Sequence, residues 1–138
     1  MVHGKWIFYT DELDDVKAVL SKVYDENIVF TDEDIYGFNI VVYENETPVS
    51  CGRLNYNDEK FTIGRLCTIP EKRGMAFADL ALRMLVRKAF DMGAESVSVK
   101  TPADAVTYFE RLNFKVTDRT ENEVIMTKFE DVGGCCKI

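Results

Sequence analysis

The chain has 138 residues, enough for one domain with a substantial core. Its net charge of −7 argues against nucleic acid as a partner, because phosphate backbones attract basic surfaces. No stretch approaches the ~20 apolar residues of a membrane span and no signal peptide opens the sequence, so we expect a cytoplasmic protein that does not enter a membrane.

The first part of the sequence predicts two helices among three strands. Apolar residues at helical spacing predict a helix that begins at Thr10 or Asp11 and ends near Tyr24. Thr31 and Asp34 have the spacing of a capping box at the start of a short second helix. Runs of β-branched and apolar residues predict strands at residues 5–10, 38–43 and 49–56.

Residues 61–92 predict a buried strand, a basic turn and a long helix. Residues 61–69 are rich in apolar and β-branched side chains, and Pro70 ends the strand because it lacks a backbone donor. From Phe77 onward, apolar residues recur every three or four positions, as in a helix that packs one face on a core. Gly93 follows at the place where a left-handed residue ends a helix.

The last part of the sequence predicts a strand, a helix and a pair of strands. Residues 96–100 alternate as in a strand, and Thr101 with Pro102 resembles a helix start. Asn113 suits the left-handed residue at the end of that helix. Residues 114–119 and 124–130 predict an antiparallel pair. We expect a single domain over residues 1–132 and a flexible tail over residues 133–138.

The turn at residues 72–78 combines cations and small side chains directly before a helix. A helix N-terminus has unpaired N–H groups and the positive end of the helix dipole, which together favour phosphate. Small residues at Gly74, Ala76 and Ala78 allow a pyrophosphate to approach the backbone, and Arg73 adds charge-assisted hydrogen bonds. The alternative is an ordinary strand-to-helix turn with solvated charges, because short glycine motifs also occur by chance.

Two motifs in this order resemble the GNAT acyltransferase superfamily. Residues 68–78, TIPEKRGMAFA, resemble its acyl-CoA signature V-x-P-x-x-R-G-x-G-x-G/A, with Ala76 in place of the usual first signature glycine. This departure is mild if the φ of Ala76 is negative. Residues 105–114, AVTYFERLNF, resemble the second signature, A-x-x-F-Y-E-K-L-G-F. The resemblance covers residues 38–130.

The resemblance implies the fold and the place of the cofactor. The implied α/β (α+β) fold has a mixed, largely antiparallel central sheet flanked by helices, in the order β-α-α-β-β-β-α-β-α-β-β. Acyl-CoA would lie where the sheet splays open between residues 61–69 and 96–100, with the pantetheine amides paired to backbone groups of Cys67, Thr68 and Ile69. The pyrophosphate would be held by the amides of Arg73, Gly74, Met75, Ala76, Phe77 and Ala78. Arg111 would reach a CoA phosphate, or it is a solvated helix charge.

The activity implied by the resemblance is transfer of acetyl from acetyl-CoA to a primary amine of a small molecule or protein, by direct attack. The family's thiolate-protonating tyrosine aligns with Phe109, and Tyr108 lies about 100° away around a helix. Three alternatives remain open: Tyr108 is the acid on a shifted helix, water is the acid, or the protein binds acyl-CoA without catalysis. No base stands out, since Ile63 aligns with a Glu of some relatives. A homodimer, common in the family, is also compatible with the sequence.

The cysteines and the single histidine do not form a metal-binding or disulfide pattern. Cys51 and Cys67 lie within apolar strands, where reduced thiols are common. Cys135 and Cys136 lie on the tail without the spacing of zinc ligands, so we expect no metal. His3 lies near the start of the chain, and we expect it to have no defined structure.

Overall fold

The computed structural model describes residues 1–8, 13–24 and 27–130. The strands in these ranges are β1 Val2–Ile7, β2 Phe38–Glu44, β3 Thr47–Asn57, β4 Lys60–Thr68, β5 Ser96–Thr101, β6 Lys115–Arg119 and β7 Val124–Phe129. The α-helices are α1 Asp14–Tyr24, α2 Asp32–Tyr36, α3 Phe77–Asp91 and α4 Val106–Glu110. Two 3₁₀ turns, Pro70–Lys72 and Ala103–Ala105, come before α3 and α4 respectively.

The seven strands of the described residues form one sheet in the order β1-β2-β3-β4-β5-β7-β6. Neighbouring strands are antiparallel except for β4 and β5, which are parallel. A parallel pair needs a crossover connection, and α3 provides it. The predicted fold class is confirmed: the sheet is mixed, largely antiparallel and flanked by helices, and the elements follow one another in the predicted order.

Helices α1 and α3 pack on the sheet through apolar stripes. The buried residues of α3 recur at helical spacing, and they are Phe77, Ala81, Leu82, Leu85 and Ala89. Leu85 lies so close to β3 that a Cβ added at Gly52 would be 2.7 Å from its Cδ1 atom. The buried residues of α1 are Val16, Val19 and Leu20. These contacts hold the middle of the sheet between helices, which makes β4 a rigid support for a site.

Several predicted helix ends are confirmed. Thr31 caps α2 in a capping box, since its side chain accepts the Asp34 amide while the Asp34 side chain accepts the Thr31 amide at 2.9 Å. Gly93, with a φ of 93°, follows α3. Asn113, with a φ of 69°, follows α4 in the same left-handed region.

The N-terminal strand begins earlier than predicted. β1 starts near the first residue instead of at residue 5, because this part of the chain pairs in register with β2. The expectation for His3 is wrong: it belongs to β1, and its ring stacks on Tyr43 with 5.1 Å between the ring centroids. The predicted cap and tail lie outside the described residues: Thr10, Asp11 and residues 133–138.

The predicted helix cap at Thr101 is wrong. Thr101 is the last residue of β5 and pairs with Val124 of β7, and its hydroxyl donates to the Pro102 carbonyl at 3.3 Å. The chain then makes a 3₁₀ turn, and α4 begins only at Val106. Tertiary strand pairing therefore outweighs the local helix-start pattern at this point.

Candidate active site

Strands β4 and β5 separate after a short paired stretch, and we call this point the fork. Three residue pairs join the strands: Phe61 with Val97, Thr62 with Ser98, and Ile63 with Val99. β4 continues to Thr68 and β5 to Thr101 without further pairs between them in the described residues. The predicted splay of the sheet is therefore confirmed. Beyond Ile63, one edge of β4 has no partner strand, so an extended ligand can add to it.

A β-bulge in β4 lies at the fork. The register with β3 passes from Arg53 opposite Gly64 to Cys51 opposite Cys67, so β4 contains one extra residue in this interval. Arg65 lies in the interval with a φ of 56°, a left-handed value that is uncommon for any residue except glycine. The bulge was not predicted from the sequence. Its one sequence signal, a glycine and a cation inside an apolar run, is weak.

The Arg65 side chain is held by Asp34 of α2. Its Nε and Nη2 atoms donate to the two carboxylate oxygens of Asp34, each at 3.1 Å. Arg53 Nη1 donates to the same carboxylate. Asp34 is 2 % exposed and the two arginines are partly exposed, so the ion network of these side chains is centred on a buried carboxylate. Burial by itself would raise the pKa of Asp34, but the surrounding donors, the Arg65 hydrogen bond foremost, lower it to about 2.

The loop between β4 and α3 contains two left-handed residues. Gly74 has a φ of 82° and Ala76, the N-cap of α3, has a φ of 66°. The expected negative φ at Ala76 is therefore wrong, because the chain enters the helix through the left-handed region. That conformation costs an L-residue roughly 1–2 kcal/mol. Glycine would adopt this positive φ without steric cost, whereas Ala76 adopts it at a cost.

Backbone amides at the start of α3 are available to a ligand. No hydrogen bond between described residues takes up the amides of Gly74, Met75, Ala76, Phe77 and Ala78. The first three of these residues are exposed, whereas the Phe77 side chain packs in the core. The Arg73 amide differs from the others because it donates to the Pro70 carbonyl at 3.4 Å. Free amides at the positive end of a 15-residue helix favour an anion.

The two cations of this loop have different surroundings. Arg73 Nε donates to the Thr68 carbonyl at 3.2 Å, an arrangement that leaves the two Nη groups for an anion. Lys72 Nζ lies 2.5 Å from a carboxylate oxygen of Glu44, so its charge is already paired. Arg73 is therefore the cation of the loop that suits a phosphate.

The backbone groups of β4 divide between its two edges. The Ile69 amide donates to the Val49 carbonyl at 2.9 Å. The Cys67 carbonyl accepts the Ser50 hydroxyl at 2.6 Å. Both groups therefore face β3, which corrects the expectation that they pair with pantetheine. Because alternate residues of a strand present their backbone groups to opposite edges, those of Thr68 face the open edge.

Two free thiols face each other across β3 and β4. Cys51 and Cys67 are a register pair, and their Sγ atoms are 3.9 Å apart. The hydrogen bond with Cys51 and the charges of two nearby arginines lower the pKa of Cys67, although burial opposes them. Cys67 therefore ionises more readily than an ordinary thiol. Cys135 and Cys136 lie outside the described residues.

Tyr108 connects the helices that follow the two diverging strands. Its hydroxyl, on α4, donates to the carboxylate of Asp79 in the first turn of α3. Burial and then this hydrogen bond raise the pKa of Tyr108. Phe109 is 6 % exposed and packs edge-on against Phe114, with 5.5 Å between the ring centroids. The phenol of Tyr108 thus points to α3, while Phe109 belongs to the core.

Arg111 lies exposed just beyond the last turn of α4. It comes three residues after Tyr108, so both side chains lie on one face of the helix. No ion pair engages Arg111 within the described part of the chain. Its contact with a CoA phosphate stays a prediction.

Across residues 1–8, 13–24 and 27–130, no three or more His, Cys, Asp or Glu side chains are grouped so that they could hold a metal ion. None of the helices in these ranges has the length and apolar character needed to cross a membrane.

Comparison with known families decides the class of the protein. The model of the Acetyltransferase (GNAT) family matches residues 6–114, which is most of the chain. The chain belongs to this family. Its membership assigns it to the acyltransferase enzymes.

Individual GNAT relatives agree with this assignment. The protein YjcF of Bacillus subtilis, named an uncharacterized N-acetyltransferase, is 26 % identical over 83 residues, which cover 60 % of this chain and 59 % of YjcF. An acyl-CoA N-acyltransferase from Pseudomonas aeruginosa has a TM-score of 0.78 at 14 % identity, covering 93 % of this chain and 99 % of its own. The PaiA N-acetyltransferase from Thermoplasma acidophilum, solved with coenzyme A, has a TM-score of 0.73 at 14 % identity. The match covers 94 % of this chain and 99 % of the PaiA chain. At these identities the solved structures show a shared fold.

The two residues that the resemblance predicts at the family's proton-transfer positions are apolar and buried. Ile63, the predicted counterpart of a Glu in some relatives, is 4 % exposed and pairs with Val99 at the fork. Phe109, the predicted counterpart of the thiolate-protonating tyrosine, is buried against Phe114. Neither side chain can accept or donate a proton.

Proposed function

We propose that the protein is an N-acetyltransferase that moves the acetyl group of acetyl-CoA to a primary amine of a small molecule or protein. One arrangement carries this proposal: the open edge of β4 at the fork leads directly to the free amides at the start of α3. A diphosphate and an extended amide-bearing arm are the two parts of CoA that such an arrangement would bind.

In this proposal the loop before α3 holds the pyrophosphate. The amides of residues 74–78 would donate to its oxygens, and the Nη groups of Arg73 would add charge-assisted hydrogen bonds. Arg111, one turn beyond Tyr108, would approach a phosphate from α4. The pantetheine arm would follow the open edge of β4 beside Cys67, Thr68 and Ile69, where it would meet the Thr68 amide and the Thr68 carbonyl that Arg73 Nε also contacts.

In the transfer step, the main task of the protein would be to position the amine against the thioester. A neutral amine attacks the thioester carbonyl, so the new C–N bond forms and the C–S bond breaks. The amine loses a proton to water, and the departing thiolate gains one from water or from Tyr108. A CoA thiolate is a tolerable leaving group, because its thiol has a pKa near that of cysteine. Alignment of the amine and the thioester would therefore supply most of the rate enhancement.

A second candidate is an acyl-CoA-binding protein without transfer activity. One observation favours it: the Tyr108 hydroxyl is already engaged by Asp79, while both family positions for proton transfer are apolar. Such a protein would share the CoA site but would release no thiol. As partners we propose acetyl-CoA and the amine, without nucleic acid, membrane or metal, in the cytoplasm; a homodimer stays a prediction.

The two candidates differ in a thiol-release assay. Acetyl-CoA is incubated with the protein and a panel of polyamines, amino acids and peptides with free N-termini, and free CoA thiol is followed with a chromogenic disulfide. Release with at least one amine, together with an acetylated product by mass spectrometry, supports transfer. Binding of CoA by calorimetry without release across the panel supports the second candidate. If CoA does not bind, both candidates fail, and the fold would serve as a partner-binding domain with a vestigial cleft.

A further inference from the structure

We infer that Asp34 is a positioning residue for the acyl group: through Arg65 it holds the β4 bulge at the fork, where the thioester of a bound acyl-CoA ends. The inference rests on the proposed function, because it assigns the open edge of β4 to the pantetheine arm.

The position of the acyl end follows from the strand pairing. The amides suited to the pyrophosphate come after β4, at residues 74–78. An arm that leaves them along the open edge passes Thr68 and runs toward the fork. It cannot continue past Ile63, because Val99 of β5 occupies that edge. The acyl group therefore ends beside Arg65, in the interval that contains the bulge.

The backbone at this position depends on side chains for its shape. Arg65 has a left-handed φ of 56°, which an L-residue disfavours. The extra residue interrupts the ladder with β3, and β5 has already separated on the other side. The interrupted ladder leaves this peptide with a long contact to β3, a 3.5 Å hydrogen bond from the Cys51 thiol to the Arg65 carbonyl. The Arg65 side chain adds two shorter, charge-assisted hydrogen bonds, each of 3.1 Å, from its guanidinium to Asp34.

Asp34 is a suitable anchor because it is itself immobilised. Its carboxylate is buried, takes part in the capping box of α2 with Thr31, and accepts a further hydrogen bond from Arg53 on β3. A bidentate pair fixes the plane as well as the distance of the guanidinium. The bulge, α2 and β3 are thereby joined at one carboxylate.

The adjacent residue provides a matched control. Glu33 lies on the same short helix and carries the same charge, but its side chain is 62 % exposed. It makes an ion pair with Arg53, at 3.4 Å, whereas the ion pair of Arg65 is with Asp34. Glu33→Gln therefore removes a carboxylate charge from α2 without touching the bulge.

The test compares the affinities of acetyl-CoA and CoA, because these ligands differ only in the acetyl group. Isothermal titration calorimetry is carried out with the wild type, Asp34→Asn and Glu33→Gln. We expect the wild type and Glu33→Gln to prefer acetyl-CoA by about threefold to tenfold, the value of one net hydrogen bond to the carbonyl. We expect Asp34→Asn to lose that preference while its CoA affinity changes less than about twofold, because the pyrophosphate site is remote from the bulge.

The outcomes separate this inference from the proposed function. Preference retained by Asp34→Asn, or absent from the wild type, would overturn the positioning role while leaving CoA binding intact. Loss of affinity for both ligands in Asp34→Asn would indicate a merely structural role and would also overturn it. Failure of the wild type to bind either ligand would instead refute the proposed function.

A second pair of variants covers the case in which Asp34→Asn does not fold. Arg65→Gly and Arg65→Ala both remove the pair with Asp34, but glycine adopts a positive φ freely and alanine does not. If the bulge conformation matters, Arg65→Gly keeps most of the preference for acetyl-CoA and Arg65→Ala loses it. Equal preferences in the two variants would contradict the inference.

Discussion

The hydroxyl of Tyr108 donates to the carboxylate of Asp79, and this hydrogen bond joins α4 to the first turn of α3. Because α3 follows β4 and α4 follows β5, the bond connects the two chain segments that come after the diverging strands. The phenol proton that a departing thiolate would need is thus shared with a carboxylate.

The Tyr108–Asp79 bond predicts a loss of stability at alkaline pH. The pKa of Tyr108 is raised on folding, so the bond contributes fully below the unfolded pKa of about 10 and is lost as pH rises through the higher folded value. In urea unfolding between about pH 8 and pH 11, the free energy of unfolding should fall more steeply with pH for the wild type than for Tyr108→Phe. Tyr56→Phe, which alters an exposed tyrosine, should behave as the wild type. Parallel curves for the wild type and Tyr108→Phe would contradict the assignment.

Charge reversal at Arg73 tests the pyrophosphate site. Arg73→Glu removes two donors from the loop and adds a repulsive charge, so CoA affinity should fall by at least about thirtyfold in calorimetry. Arg87→Glu makes the same change on the exposed surface of α3, where Arg87 pairs with Asp91 at 3.1 Å. It should bind CoA as the wild type does. Unchanged affinity in Arg73→Glu would refute the site.

Glycine at position 76 should stabilise the protein. Ala76 has a φ of 66°, and Ala76→Gly removes that strain at the cost of a more flexible unfolded chain. We expect a net gain of about 0.5–1 kcal/mol in the free energy of unfolding by guanidinium titration. Ala78→Gly, inside α3, should instead lose about 0.5–1 kcal/mol. A destabilised Ala76→Gly would show that the left-handed conformation is not strained.

The two cysteines of the sheet should react at different rates. Cys67 has a lowered pKa and is partly exposed, whereas the pKa of the buried Cys51 is raised, first by its hydrogen bond with Cys67 and then by burial. Iodoacetamide should therefore label Cys67 first, as measured by mass spectrometry of proteolytic peptides. Saturating CoA should slow this reaction if the pantetheine arm lies beside Cys67, as proposed. Equal labelling rates, or no protection, would contradict the predicted order or the place of the arm.

The ion network centred on Asp34 predicts sensitivity to acid. The pKa of Asp34 is lowered to about 2, so its charge contributes stability above the unfolded pKa that is lost as pH falls through the folded value. The wild type should lose on the order of 2 kcal/mol from this group between about pH 5 and pH 2. Asp34→Asn should be less stable at pH 7, because two partly buried arginines lose their partner, yet its stability should depend less on pH in that interval. Urea unfolding at each pH measures both effects. If the stability of Asp34→Asn falls with acid as steeply as that of the wild type, Asp34 is not the source of the acid sensitivity.

The parts of the fold that sequence could predict are those with local patterns. The strand before Pro70, the basic loop and α3 follow from β-branched runs, one proline and helical spacing. The free amides of Ala76, Phe77 and Ala78 follow from the same pattern, because the first N–H groups of a helix have no intrahelical partner. The family motifs then added the fork, which no local pattern contains.

The remaining features depend on contacts between distant residues. Arg65 is held in the bulge by Asp34, 31 positions earlier in the chain, and no local rule links them. Thr101 has a helix-start pattern, but pairing with β7 extends the strand over it. Tyr108 could be placed on a helix from its motif, whereas its partner Asp79 depends on how two helices meet.

Only three residue pairs connect β4 to β5 in the described sheet, and parallel pairs are individually weaker than antiparallel ones. The sheet can thus be regarded as two rigid plates, β1-β2-β3-β4 and β5-β7-β6, with a narrow hinge between them. A small rotation about this hinge would widen or narrow the gap without breaking a ladder inside either plate. Amide hydrogen exchange at Thr62 and Ser98 would report such breathing directly.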